Sequence, residues 1–177
     1  MLRVPSQQGF SLIEALITVL IVAIGLLGVA GMQLVGLKGN QQSFSKNQAA
    51  HHMQSMLEKM RGNPAGVIAG KYLFDSSTYS CAVEPTKNCS QATVTCDTEE
   101  VAAYDLFKAF CGSKGGAVGG IKGDLSGADL TISCPIDCTT GVELVLEWDE
   151  QVLGKEEEST GKQLIPRSLT INTVIGK

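Results

Sequence analysis

The sequence predicts an α+β protein in which one long N-terminal helix packs on a small antiparallel β-sheet. A helical pattern runs from residue 10 to residue 61: it is apolar with a single charge up to residue 32 and amphipathic from residue 33. Near the C-terminus, three short stretches alternate apolar and polar residues or are rich in β-forming residues, as expected of strands: 130–133, 142–148 and 168–175.

The first element is an apolar run from Phe10 to Met32 whose only charged residue is Glu14. A bilayer-spanning helix needs roughly 20 apolar residues, so this run is long enough. It is too long for an ordinary signal peptide, although Gly28-Val29-Ala30 would serve as a late cleavage site. A signal peptide and a plain anchor are the two simple alternatives. Neither explains Glu14, because a carboxylate in hydrocarbon costs about 2.5 to 3.5 kcal/mol and usually marks a functional position.

The second part of the predicted helix, Gln33 to Arg61, is polar with apolar residues at spacings of three, four or multiples of a turn. This pattern predicts an amphipathic helix laid against a domain core. Gly62-Asn63-Pro64 predicts its end. The glycines at 25, 28, 31, 36 and 39 are either tolerated in a membrane helix or allow it to loosen, and both interpretations stay open. The apolar residues of the stripe are Leu34, Leu37, Phe44, Met53, Met56, Leu57 and Met60.

A second helix is predicted over residues 98–110, because Asp97 can cap it and Glu100 follows three residues later. Its predicted apolar face consists of Ala103, Leu106, Phe107 and Phe110. The Gly-rich stretch from Gly112 to Gly127 is predicted to be a flexible connector. The acidic stretch from Asp149 to Ser159 is predicted to be a solvated hairpin turn between the last two strands.

All six cysteines lie downstream of the predicted long helix. An even number behind an export signal predicts up to three disulfides, and the 15 possible pairings stay open. Zinc is the weaker alternative, because the C-x3-C pair is followed by no second pair of ligands at zinc spacing. The disulfide candidates are Cys81, Cys89, Cys96, Cys111, Cys134 and Cys138.

The remaining composition argues against catalysis and against nucleic acid. The formal net charge is −4 and there is no block of Lys or Arg downstream of the apolar run. His51 and His52 are the only histidines, and adjacent helical residues point about 100° apart, so we predict surface positions rather than a shared metal. The sequence therefore predicts no enzyme, no catalytic residue, no cofactor and no metal.

The N-terminal segment MLRVPSQQ-GFSLIEALITVLIVAIGLLGVAGMQL resembles type IV pilins and the related secretion pseudopilins. In that family a short leader ends in Gly, here Gly9, and a prepilin peptidase cuts after it and methylates the new N-terminal residue, here Phe10. The family also carries Glu at the fifth mature position, here Glu14. IGLLGVAGMQ is further similar to the PilV-type minor pilins (type IV pilus modification proteins), as is, more weakly, VAAYDLF at 101–107.

The resemblance implies a pilin fold with disulfide-bonded loops and four regions. Residues 1–9 form a prepilin leader, 10–32 a transmembrane and assembly helix, 33–61 its amphipathic half, and 62–177 a globular periplasmic head. It also implies storage in the bacterial inner membrane before transfer to a surface pilus. Many major pilins carry Pro where this chain has Gly31, which leaves local melting of the helix open.

The function implied by the resemblance is that of a minor pilin in a priming or tip complex of a type IV pilus, with roles in adhesion and twitching motility. The implied partners are the prepilin peptidase, other minor pilins, the major pilin and a tip adhesin. Glu14 would pair with the amine freed at Phe10. The alternatives are a minor pseudopilin of a type II secretion system, a tip module that binds a surface or DNA, and a periplasmic enzyme without a recognisable site.

Overall fold

A computed structural model describes residues 9–116, 118–152 and 163–175. The chain divides into two units, residues 1–41 and 42–177, and each is described by itself. Most of the predicted leader (residues 1–8) and much of the predicted acidic turn (153–159) lie outside the described residues. The predicted α+β class is confirmed by a long N-terminal helix, a four-stranded antiparallel sheet and three disulfides.

Helix α1 extends without interruption over Leu12–Gly62, 51 residues, close to the predicted span. Its end is also where the sequence predicts it. Asn63 follows, and its side-chain oxygen accepts a hydrogen bond from the Gly66 N–H, which caps the short helix α2 at Pro64–Ile68. Gly62-Asn63-Pro64 therefore closes one helix and starts the next.

The amphipathic stripe predicted for α1 is correct only in its C-terminal part. Its N-terminal members are exposed, Leu34 by 68%, Leu37 by 63% and Phe44 by 62%. Nine residues separate Phe44 from Met53, which is two and a half helical turns, so the two side chains leave the helix on opposite sides. The predicted stripe therefore combines residues from two different faces of the helix. The buried members are Met53, Met56, Leu57 and Met60.

The sheet of the second unit has strand order β1-β2-β3-β4, all antiparallel. The strands are β1 (Phe74–Asp75), β2 (Asp129–Ser133), β3 (Val142–Val152) and β4 (Gln163–Thr173). The sequence predicts the last three and misses β1, which is too short to show a period. Residues 149–152 belong to β3 rather than to the predicted turn, and β4 begins five residues before its predicted start. β3 and β4 pair along their whole length, from Val142↔Thr173 to Val152↔Gln163. This pairing outweighs the low strand propensity of the polar residues at these ends.

The core of this unit lies between the inner face of the sheet and the helices. Along β3, every second side chain from Val142 to Trp148 is buried, and these residues share one cluster with Met53, Met56 and Met60 of α1. Full burial of such a side chain is worth about 1.5 to 3 kcal/mol. The α1 stripe and the β3 stripe thus form the centre of this unit (residues 42–177, called the head below).

Helix α3, Thr98–Phe110, starts as predicted with a capping box. The Asp97 carboxylate accepts from the Glu99 and Glu100 N–H groups, and Glu100 accepts from the Asp97 N–H. Three of the four predicted apolar positions are buried: Leu106, Phe107 and Phe110. The fourth is wrong, because Ala103 is exposed and its neighbour Ala102 is buried. Because the two adjacent alanines are equally apolar, the sequence pattern does not show which of them faces the core.

The Gly-rich stretch is more than a connector, because it contains the short helix α4 at Gly120–Asp124. Ile121 and Leu125 anchor it in the core, at 0% and 4% exposed. The chain reversal before α4 needs glycine. Gly112 and Gly120 have φ of 64° and 73°, and a Cβ on Gly120 would lie 2.5 Å from the Gly112 nitrogen.

Three disulfides join Cys81 to Cys111, Cys89 to Cys96, and Cys134 to Cys138, with sequence separations of 30, 7 and 4. The first is buried, with Cys81 3% and Cys111 0% exposed. It ties the segment after β1 to the end of α3. The C-x3-C pair forms a disulfide rather than half of a zinc site.

A partly buried polar cluster connects α1, α3 and the segment before β1. Asp105 accepts hydrogen bonds from Lys59 Nζ at 3.1 Å and from the Tyr72 hydroxyl at 2.8 Å. Burial, reinforced by the Asp105 carboxylate, raises the pKa of Tyr72 well above its ordinary value near 10. The Tyr72 hydroxyl therefore keeps its proton in the folded protein.

The disulfide loop lengths predict a rank order of stability. In the chain-entropy account, removal of Cys81–Cys111 by the double change to Ala costs about 3 to 4 kcal/mol, and removal of Cys89–Cys96 about 2 kcal/mol. Denaturant unfolding of the two full-length variants, beside the wild type in one detergent, measures both losses. Equal losses, or the reverse order, would contradict the assignment of Cys81–Cys111 as the main covalent constraint of the head.

The raised pKa of Tyr72 predicts lower stability at alkaline pH. Above about pH 10 the unfolded chain releases the Tyr72 proton while the folded chain retains it, so the free energy of unfolding falls by about 1.4 kcal/mol per pH unit. Below that pH the contribution is fully present. Tyr72→Phe should reduce the slope between about pH 10 and pH 11, leaving the part due to Tyr79, whose pKa burial also raises. An unchanged slope in Tyr72→Phe would show that other groups cause it.

Candidate functional site

The junction between Gly9 and Phe10 lies directly before α1. The Ser11 carbonyl accepts from the Glu14 N–H at 3.1 Å and from the Ala15 N–H at 3.2 Å, which starts the helix. Phe10 is 83% exposed, and apart from its chain neighbours no described residue has an atom within 4 Å of the position of a Cβ on Gly9. The described residues therefore leave the Gly9–Phe10 junction exposed.

Glu14 lies in the first turn of α1, where the positive end of the helix dipole favours a carboxylate. Its side chain is exposed, and the described residues give it no ion-pair partner. Phe10 is still joined to Gly9 by a peptide bond in this chain, so the amine proposed as its partner does not yet exist. The pairing of Glu14 with that amine stays a prediction.

From Ala15 to Met32, helix α1 has apolar residues on every side and no charged residue. Its most apolar 18-residue window has a mean hydropathy of 2.7, and none of it is buried within the protein. By length and composition it suffices to cross a membrane, and a helix satisfies its own backbone hydrogen bonds there. An apolar surface all round requires an apolar surrounding, which lipid or other apolar helices supply.

In the described ranges, no group of three or more His, Cys, Asp or Glu is placed to hold a metal ion. His52 Nε2 lies 2.9 Å from Asp124 Oδ2, which links α1 to α4, and His51 is exposed. The sequence predicts surface positions for both histidines but gives no sign of the Asp124 contact, because 72 residues separate the pair.

The predicted site residues fall into two groups in different units. Gly9, Phe10 and Glu14 lie together at the start of α1, in the unit 1–41. The six cysteines lie in the unit 42–177 and are joined in pairs. The first group combines an exposed Gly9–Phe10 junction with a charge that has no ion-pair partner among the described residues. The second group holds loops in place.

Comparison with known families gave two matches. Residues 5–30, which include Gly9, Phe10 and Glu14, match the model of the prokaryotic N-terminal methylation motif. Residues 31–107 match the Tt1218-like model, described as type IV pilin Tt1218. No curated protein and no solved structure matched the chain. The two family matches support the type IV pilin superfamily and a structural role in pilus-related assembly.

The methylation motif also bears on processing and location. It implies a prepilin peptidase and assembly with other pilins. Together with the apolar helix, it fits anchoring in the inner membrane before transfer to a pilus.

Proposed function

We propose that this protein is a minor pilin that helps to prime or cap a type IV pilus. It is cut between Gly9 and Phe10, methylated at Phe10, and stored in the inner membrane by residues 10–32 until it joins other pilins. The observation that carries the proposal is a methylation motif over residues 5–30, directly at the start of an exposed apolar helix with Glu14 in its first turn.

Cleavage supplies the charge that Glu14 lacks. A carboxylate among apolar helices is costly unless a positive group compensates it. Freeing Phe10 creates an N-terminal amine four residues before Glu14, about one helical turn away. The amine of the same subunit or of a neighbouring one neutralises Glu14, so only processed subunits pack together out of water.

The head decides which neighbours the subunit accepts. Its partners in this proposal are other minor pilins of the PilV type, the major pilin and a tip adhesin. Support for the minor class comes from IGLLGVAGMQ in the apolar run. Three disulfides fit a head that faces an oxidising periplasm.

A minor pseudopilin of a type II secretion system is the second candidate, because the N-terminal features of the two groups are the same. Deletion of the gene separates them. The proposal expects loss or change of surface pili with protein secretion intact, whereas a pseudopilin would show the opposite.

Replacing Glu14 tests the assembly mechanism. Glu14→Ala should be cut and methylated like the wild type and remain in the membrane, yet enter sheared pili at least about tenfold less, because its compensating charge pair is lost. Glu14→Gln, which keeps the size and removes the charge, should behave like the Ala variant. Mass spectrometry of the N-terminus and immunoblots of sheared pili measure the two steps.

Glu58→Ala is the matched control, since Glu58 is an exposed carboxylate on the same helix, paired with Arg61. It should enter pili normally. Normal incorporation of Glu14→Gln would show that charge pairing does not drive assembly. A mature chain that begins at Met1 or near Gly31 would instead identify a plain anchor or a secreted domain and refute the proposal.

A further inference from the structure

Strand β4 is a long edge of the sheet with no neighbour on its outer side among the described residues. It has 11 residues, whereas the opposite edge, β1, has two. Long edges readily pair with another chain, and proteins usually protect them with charges, bulges, prolines or a covering loop. On β4, Pro166 protects one position, and the charged residue of the strand, Arg167, is paired with Glu150 of β3.

The hydrogen-bond register shows which residues of β4 direct their backbone N–H and C=O groups to the open edge of the sheet. Asp149 of β3 donates its N–H to the Ser126 carbonyl, at 2.8 Å, and hence away from β4. Asp149 is opposite Pro166, which has no N–H to give, so this is a non-hydrogen-bonded pair. Because the pattern alternates, Ser168, Thr170 and Asn172 also direct their N–H and C=O groups to the open edge.

The inner side of β4 is incompletely covered. Leu169 and Ile171 pack against the core but are only half-buried, whereas their partners on β3, Leu146 and Leu144, are fully buried. A further strand beside β4 would place its inward side chains next to Leu169 and Ile171 and remove apolar surface from water.

An apolar pocket of about 370 Å³ lies at the C-terminal end of β4. Val174 of the chain after β4 and Ile136 of the Cys134–Cys138 loop line it, and they are 50% and 90% exposed. Ile136 is rigidly presented, because the disulfide closes the loop and Asp137 accepts hydrogen bonds from Thr139, Thr140 and Gly141. A rigid apolar residue loses little entropy when a partner docks on it.

The outer face of the sheet is acidic. In the described parts of the four strands, the outward positions carry five carboxylates and no Lys or Arg. None of the five is in an ion pair with a described residue, and two of them, Asp129 and Glu147, lie directly opposite each other, a destabilising arrangement for like charges. The five are Asp75, Asp129, Glu143, Glu147 and Asp149.

We propose that the β4 edge binds an extended segment of a partner protein as a fifth strand. Its backbone pairs with Ser168, Thr170 and Asn172, and its apolar inward side chains cover Leu169 and Ile171. At its outward positions it carries Lys or Arg. Glu147 and Glu143 lie in the same cross-strand rows as Ser168 and Asn172, two strand spacings (roughly 9.5 Å) from the added strand. Because Ser168 and Asn172 have short side chains, the long Lys or Arg side chains of the added strand extend over them towards the two glutamates.

The last apolar residue of the segment occupies the pocket beside Ile136. A second copy of this chain fits less well, because the outward residues of its own β4 include Ser, Thr and Asn and no cation. The proposal does not depend on processing at Gly9, so either can fail while the other stands.

The test uses full-length protein in detergent micelles and a fluorescent peptide of about seven residues that alternates Val and Lys. Fluorescence anisotropy should show saturable binding. Thr170→Pro removes an N–H that points to the open edge and should weaken binding at least about tenfold. Thr170→Val keeps this N–H and should not weaken binding. Pro166 shows that β4 accepts proline at an outward position, and unchanged circular dichroism and melting temperature verify that both variants fold.

Three controls separate strand addition from simple charge attraction. A peptide with Glu in place of Lys should bind more weakly, and Glu147→Lys should reverse that preference. A Val/Lys peptide with N-methyl groups on the amides that face β4 should not bind.

Two results would overturn the proposal in favour of surface electrostatics: equal binding of the N-methylated peptide, or equal binding by Thr170→Pro. Absence of saturable binding would overturn it outright. Sedimentation of the protein alone tests whether a second copy of this chain occupies the edge. A dimer that Thr170→Pro abolishes would assign the edge to that second copy.

Discussion

The burial of one stripe of α1 against the sheet is the interaction on which the head depends. Ala49, Met53, Met56 and Met60 are fully buried, and they share a core with the inward residues of β3 and with α3. Methionine is unbranched and adapts to irregular gaps, so one helix face can meet both a strand and a helix. Nine residues before Met53, Phe44 lies on the opposite side of the helix and is exposed. The direction of this stripe therefore decides which face of α1 is left for other partners.

Around this core, polar side chains mainly connect one element of the head to another. Asp105 joins Lys59 and Tyr72, Asn63 caps α2 and donates to the Thr98 carbonyl, and His52 meets Asp124. Disulfides hold the parts that have little regular structure of their own, as expected of a small exported domain. These polar contacts thus stabilise the fold, and the chemistry of this protein is expected at its N-terminus and on its surfaces.

The N-terminus and the sheet share one feature: both carry polar or charged groups that have no partner among the described residues. At the N-terminus, Glu14 has no ion-pair partner among the described residues, and the family matches support the processing that, in our proposal, creates a partner amine at Phe10. On the outer face of the sheet, five carboxylates have no ion-pair partner among the described residues. Along β4, backbone groups have no neighbouring strand among the described residues, beside the half-buried Leu169 and Ile171 of the inner face. An unsatisfied group on a surface destined for assembly is a specificity device, because the correct partner satisfies it and others do not.

The sequence by itself determined the elements whose signals are local. The span of α1, its end at Gly62-Asn63-Pro64, the capping box at Asp97 and the motif around Gly9, Phe10 and Glu14 all depend on neighbouring residues. Tertiary structure decided the rest, because it depends on residues far apart in the chain. It paired Cys81 with Cys111 across 30 residues, formed the two-residue β1 against β2, folded α4 out of a glycine-rich stretch by burying Ile121 and Leu125, and left β4 at the edge of the sheet. A periodic pattern specifies that a face is apolar, but only packing in three dimensions specifies what covers it.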